Sequence, residues 1–269
     1  MPLHANPLPA RRGTTRPPAS AVPASGGRLG HALVRVLDHL PDCLDHLPPA
    51  QAQVALRRCV APKVVLPRGV WRPPADPAGC GDWLGLLVTD GLLTRTVQVD
   101  GLHATELLGP GDVLRPWDDD GSAHTVPALT SWRVAQRAGI AVLDERFAAS
   151  AMRWPAIVSC LLSAAVHRSD ARSVLLAVAR ARRADDRLML LFWHLAERWG
   201  RMTPHGVRIP MALTHALLGD LVCLRRPTVS MALAELVADG RIERARDGTW
   251  TIVERRGYAS ARDREAAAA

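Results

Sequence analysis

Arg225, Arg226, Pro227, Thr228, Ser230 and Met231 are crowded into seven residues at the point where a helix would start. Their chemistry is recognition. A guanidinium offers paired donors to phosphate or to a guanine edge, and a short polar run led by arginine at a helix N-terminus suits entry into a DNA groove. Thr214, Arg244 and Arg246 complete the set, the first at the start of a preceding helix and the last two on a later hairpin.

Two short helices and a tight turn are needed to position these residues. Thr214 is a good N-cap for a first helix carrying Leu217, Leu218 and Leu221 at helical spacing, with small Gly219 allowing another segment to approach. After a turn over Val222 to Arg225, Pro227 fits the first turn of a second helix, where its missing N–H is harmless. Val229, Leu233 and Leu236 form its buried stripe, leaving Arg226, Pro227, Ser230 and Met231 on the opposite face to meet base edges. Asp239-Gly240 ends that helix. Ile242 to Val253 then reads as two strands around Asp247-Gly248, a wing that offers Arg244 and Arg246 to phosphates. An ordinary helical hairpin would share the apolar spacing; the wing and the arginine-led start favour DNA reading.

Other chemistry-bearing groups are sparser. His39, Cys43 and His46 have a metal-like spacing, but Pro41 interrupts any helix that would bring them to one face, so solvated or capping roles are expected and no metal site is assigned. His103 and Glu106 are the principal ligand-type residues on the expected strands, too few for the His/Glu set of a cupin-like enzyme. Such an enzyme, or a metal-binding protein with an accessory helical domain, is the alternative to a DNA-binding protein; no catalytic residue and no cofactor is assigned. Cys43, Cys59, Cys80, Cys160 and Cys223 contain no C-x-x-C pair, so the sequence predicts reduced thiols and a cytoplasmic protein.

The chain has 269 residues, ample for two domains, and a formal charge of +8. That balance suits an anionic partner. All but Lys63 of its basic residues are arginine, a bias that a GC-rich genome explains. No apolar stretch reaches the length of a membrane span, and the first thirty residues lack the apolar core of a signal peptide.

The predicted class is α+β. Residues 1–30, proline-rich with four arginines and no acid, are expected to form a disordered basic arm. A sensor-like β-roll is expected over 31–150, with Trp83–Thr89 and Leu92–Val99 as successive strands around a hairpin turn at Asp90-Gly91 and a second turn at Asp100-Gly101. Glu106–Leu114, broken at Gly109-Pro110-Gly111, and Thr130–Ala135 add strands to a module able to enclose a small ligand. A long helix is expected within 151–183. There Ile157, Leu161, Ala164, Ala171, Leu175 and Val178 make a 4-3 seam interrupted by Arg168, read as a dimerisation surface, with an intramolecular helix as the alternative. The winged helix-turn-helix occupies 184–257 with a floor helix over Asp185–Trp199, and 258–269 is a flexible tail.

This order, with Gly109-Pro110-Gly111-Asp112 in the roll and Leu224-Arg225-Arg226-Pro227-Thr228-Val229-Ser230 in the reading segment, resembles the cyclic-AMP receptor protein/fumarate-nitrate regulator superfamily over residues 31–255. The resemblance implies a homodimeric transcription regulator on a pseudo-palindromic double-stranded DNA site, with RNA polymerase as a further partner and no membrane. It implies that Arg226 reads a base, that Thr228 lies near the backbone, and that Pro227 and Met231 occupy the next reading positions. Met231 stands where relatives carry Arg or Lys, exchanging a donor for apolar contact with a thymine methyl. Cys223 takes a turn position often held by glycine. Where cyclic-nucleotide binders place a Gly-Glu pair for ribose and an Arg-Ser/Thr-Ala run for phosphate, this chain has Arg115-Pro116-Trp117 and His124-Thr125-Val126. Asp118-Asp119-Asp120 between them would repel a phosphate. The effector, if one exists, is therefore not expected to be a cyclic nucleotide, and no cysteine run suits an iron–sulfur cluster. A sensor reduced to dimerisation or protein contact is a further reading.

Overall fold

The computed structural model describes residues 29–73, 83–118 and 126–253. All but the last two residues of the expected arm, the expected tail, and Asp119, Asp120, His124 and Thr125 lie outside the described residues.

The first half is a β-roll. Its strands are β1 (Leu29–Arg35), β2 (Val60–Leu66), β3 (Gly69–Trp71), β4 (Gly85–Val99), β5 (Leu102–Leu108), β6 (Val113–Leu114) and β7 (Leu129–Leu143), with helix α1 (Pro49–Arg58) between β1 and β2. The sheet runs β1-β2-β7-β4-β5, with β3 pairing β7 and β6 pairing β4, all antiparallel. The roll is filled with side chains. Leu93, Leu108, Val134 and Ile140 pack with Trp71 and Trp132, whose rings meet edge to face at 5.6 Å.

One expected turn is absent. Asp90-Gly91 does not reverse the chain; β4 passes through it as a single 15-residue strand beside an equally long β7. The register shifts locally around Asp90, whose carboxylate accepts from Lys63 at 2.7 Å and from Thr89 at 2.9 Å, and Gly91 takes φ +80° where a Cβ would strike the Arg137 carbonyl. An Asp-Gly pair satisfies a bulge as readily as a hairpin, and the long partner strand decides between them. Asp100-Gly101 is the hairpin turn between β4 and β5, with φ of 47° and 76°.

Helices α2 (Glu145–Ala151), α3 (Pro155–Val178) and α4 (Ala184–Trp199) lead to the second half. The seam read as a dimer surface is turned into the chain itself. Ile157 and Leu161 are buried among Val36, Leu37, Leu143 and Phe147, with Ala164 partly buried beside them, whereas Leu175 and Val178 are buried against Leu188 and Phe192. A 4-3 stripe states only that one face is covered, and here both domains cover it. Arg168, the interruption in the stripe, donates to both carboxylate oxygens of Glu106 on β5 at 2.7 and 3.0 Å.

The winged half contains β8 (Arg201–Thr203), β9 (Gly206–Ile209), α5 (His215–Val222), α6 (Arg226–Ala238), β10 (Ile242–Arg244) and β11 (Trp250–Ile252), with sheet order β10-β11-β9-β8. The β8–β9 hairpin was not foreseen; its strands are too short to show alternation. Leu218, Val229, Leu233, Leu236 and Trp250 form the core over α4, and Leu92 and Leu107 of the roll belong to the same cluster. The two halves therefore share apolar core.

The expectation of free thiols throughout is also corrected. Cys43 and Cys160 form a disulfide, with Cα atoms 5.4 Å apart across a sequence separation of 117, while Cys59 and Cys223 are free. Local spacing could not signal a pairing that only the tertiary fold brings about. No single helix among the described residues is long and apolar enough to cross a membrane.

Candidate nucleic-acid interface

Helix α5 begins as its sequence requires, the Thr214 hydroxyl accepting from the Leu217 amide at 3.2 Å. It ends at Cys223, which adopts the left-handed conformation at φ 55°, so this non-glycine residue makes the reversal. Gly219 is demanded by the turn: a Cβ there would lie 2.5 Å from the Leu224 carbonyl oxygen. The small residue admits the turn backbone more than the second helix.

Arg225 caps α6 with extended backbone, and Pro227 lies in its first turn. Val229, Leu233 and Leu236 are buried. Arg225, Arg226, Pro227 and Thr228 are exposed, as is Met231 at 67%. Burial of one face thus fixes which residues the helix presents. Ser230 differs from the rest, being half-buried with its hydroxyl 2.9 Å from Nδ1 of His215. It ties α5 to α6, so the group is already engaged.

The wing is held from behind. Ala245 and Thr249 are joined by a backbone hydrogen bond across the turn, Asp247 accepts from the Thr249 hydroxyl and amide, and Arg208 of β9 reaches Asp247 at 2.7 Å. Trp250 donates to the Leu213 carbonyl at 3.2 Å and packs on Phe192, fixing the wing to the start of α5. Arg244 and Arg246 are exposed, with the Arg244 guanidinium 5.5 Å from the Trp250 ring centroid. His215, which sequence reasoning passed over, lies between the two arginine groups: burial, then Arg244 and Arg226, holds its pKa below the ordinary histidine value. The arginine at the start of α6 and the wing arginine therefore both act on His215. The signal that could have found His215 is its place directly after the cap, at the start of the helix that precedes the reading segment.

This geometry is that of a helix-turn-helix with a wing, and residues 186–257 match the family of that description. Residues 186–257 are a Crp-like helix-turn-helix domain. The sequence as a whole matches no curated protein. In fold the chain is similar to a cyclic nucleotide-binding domain containing protein from Listeria monocytogenes EGD-e (15% identity, TM-score 0.58, covering 81% of this chain and 97% of that one). It is also similar to FixK2 from Bradyrhizobium japonicum (14%, 0.53, 76% and 96%) and to a CRP/FNR family transcriptional regulator from Thermus thermophilus (19%, 0.51, 75% and 98%). At these identities the likeness is one of fold: a roll of the cyclic-nucleotide-binding type followed by the Crp-like domain.

The Crp-like domain is docked on the roll through its floor helix. Asp112 of the Gly109–Asp112 turn accepts from the Gly109 amide at 2.8 Å and from Arg198 of α4 at 2.6 Å, and the Trp199 indole donates to the Pro110 carbonyl at 3.0 Å. Burial pushes the Asp112 carboxyl above its usual range against the pull of Arg198 and the Gly109 amide. A Cβ on Gly109 would lie 2.8 Å from the Trp199 ring, so the turn must be glycine to admit it. Glu106, one of the two strand ligands considered for metal chemistry, is held by Arg168, with Arg172 at 3.8 Å. Cys43 is likewise committed to its disulfide rather than to His39 and His46. Among the described residues no group of three His, Cys, Asp or Glu is placed to hold a metal ion. Arg115 is engaged by Asp118, the Trp83 carbonyl and the Trp117 ring.

Proposed function

We propose that the chain is a sequence-specific, DNA-binding transcription regulator of the Crp/Fnr type, acting in the cytoplasm as a homodimer on a pseudo-palindromic site. The observation that carries this reading is the outward-facing first turn of α6. Its buried face is locked onto α4 and α5, leaving Arg225, Arg226, Pro227 and Thr228 exposed beside a braced wing. Arg226 reads a base, Met231 offers an apolar contact, Thr228 and Arg225 approach the backbone, Thr214 lies near the DNA at the start of α5, and Arg244 and Arg246 take phosphates. Ser230 acts through His215 by holding the two helices together.

A second copy would meet the outer face of α3, where Leu162, Val166 and Leu176 remain exposed opposite the covered seam. The effector is not a cyclic nucleotide in this reading. Two features support that: the packed tryptophans of the roll and the tied-up Arg115 where a ribose partner would be needed.

Selection from a random duplex library with the purified full chain tests the proposal. Recovery of a two-fold repeated motif with half-sites about one helical turn apart is expected. Recovery of no enriched sequence would overturn it.

A further inference from the structure

The disulfide joins elements that DNA recognition does not by itself require to be joined. Cys43 closes the 3-10 turn Pro41–Cys43 at the N-terminal edge of the roll, and Cys160 lies in the first half of α3. Helix α3 continues past Arg168 to bury Leu175 and Val178 in the core of the Crp-like domain. One covalent bond therefore fastens to the roll the helix on which the DNA-binding half rests.

One end of the bond also borders a cleft. A cleft of about 980 Å³ opens between the His39–His46 segment, the Pro110–Asp112 turn, α3 and α4, and Cys160 is among the residues lining it. Cys43 is fully buried, whereas Cys160 is half-buried. Of the two cysteines, Cys160 is therefore the one that borders the cleft. The other cysteines among the described residues are unlike this pair: Cys59 is buried, its thiol pushed up to about 11 by burial, and Cys223 stands alone at the turn of the reading motif.

We propose that Cys43 and Cys160 form a reversible thiol–disulfide site, open to low-molecular-weight thiols through this cleft, that sets how firmly α3 is held to the roll. A thiolate from solution attacks the Cys160 sulfur, the Cys43–Cys160 bond breaks, and Cys43 leaves as a thiolate that takes up a proton. A second thiolate attacks the resulting mixed disulfide at the small-molecule sulfur, releasing Cys160 as a thiolate, which is then protonated, and a small-molecule disulfide. Two thiols are oxidised, and the protein disulfide is reduced by two electrons; oxidation follows the same steps in reverse.

The consequence for DNA rests on the regulator reading above. In the cross-linked form α5 packs on β5, and the Cys223 thiol approaches the His103 carbonyl at 3.9 Å, so the roll borders the helix that must cross the DNA backbone. Releasing the bond loosens α3 and with it this docking, and the reduced form binds its site more tightly.

The full chain is equilibrated in a series of reduced and oxidised glutathione mixtures, and three quantities are read. The Cys43–Cys160 linked peptide should appear under oxidising conditions and vanish under reducing ones, with Cys59 and Cys223 alkylated in both. Hydrogen exchange over residues 155–178 should quicken on reduction with the same midpoint. Affinity for the selected duplex should rise by about tenfold, a coupling of the size found between linked sites. Cys43→Ser and Cys160→Ser should each show the fast exchange at every glutathione ratio, and Cys59→Ala should keep the response. Absence of the linked peptide overturns the proposal, as does a linked peptide whose reduction leaves exchange over 155–178 unchanged. If no duplex is selected at all, the regulator reading fails, while the peptide and exchange measurements on the wild-type chain still decide the redox site. Should a serine variant fail to fold, reduction of the wild type remains the deciding measurement.

Discussion

The roll and the Crp-like domain use their polar residues in opposite directions. In the Crp-like domain the arginines at the start of α6 and on the wing face outward, and the side chains behind them, His215 with Ser230 and Arg208 with Asp247, brace the elements that carry them. In the roll, Glu106 and Asp112 are only 7% and 6% exposed and face Arg168 and Arg198 of the helices that connect and floor the DNA-binding half. In the roll, then, a polar motif serves as a joint. The Gly109–Asp112 turn, one of the features on which the resemblance was drawn, here receives Trp199 and Arg198.

If the halves are joined as closely as their common core implies, damage to one must be felt in the other. Trp250→Ala should cost about 3–5 kcal/mol, as for other buried large-to-small aromatic changes, and both halves should melt in one transition. Calorimetry showing an unshifted roll transition beside a weakened second one would break this picture.

The joint itself is probed next. Glu106→Ala removes the bidentate partner of a guanidinium that is 12% exposed, and a loss of about 3 kcal/mol is expected from breaking a buried pair. Urea unfolding measures it; a loss no larger than that of a surface pair would mean that the contact is not a joint.

His194 on α4 offers a pH test of the same boundary. It is buried with Nε2 unpartnered, and burial followed by the charge of Arg198 lowers its pKa to about 4 from 6.5. The folded chain holds the neutral ring, so the unfolded chain binds more protons between those values. Stability from this residue is complete above pH 6.5 and is lost as the pH falls towards 4, by up to about 3 kcal/mol. Urea midpoints at pH 7 and pH 5 should differ, and His194→Gln should flatten the difference; an equally steep slope in the variant would assign it to other groups.

The smallest effects separate reading from holding within the interface. Arg226→Ala should cost about 1–3 kcal/mol on the selected site and relax preference at one position per half-site. Equal losses on selected and scrambled duplexes would remove Arg226 from the reading role. Arg244→Ala and Arg246→Ala should instead weaken both duplexes alike and lower the salt slope by about 1 each, measured by anisotropy at two salt concentrations.

The winged helix-turn-helix was legible in the sequence because its signals are local. The cap at Thr214, Pro227 in the first turn of α6, the stripe of Val229, Leu233 and Leu236 and the Asp247-Gly248 turn each act within a few residues, where helix and turn chemistry leaves little choice. What was not legible depended on partners far along the chain. Asp90-Gly91 has the residues of a hairpin turn but became a bulge because β7 runs alongside for its full length. The engagement of Ser230 needed His215 on another helix.

The sequence by itself therefore determined the fold class, the order of roll, helix and winged module, and the buried stripe of α6, since periodicity and capping are properties of consecutive residues. Tertiary structure alone decided what covers the seam from Ile157 to Val178, where Glu106 and Asp112 point, and that Cys43 meets Cys160. A stripe of apolar residues specifies that a face must leave water, but not which surface will take it. A cysteine or a carboxylate carries no mark of a partner 117 or 86 residues away until the chain has folded.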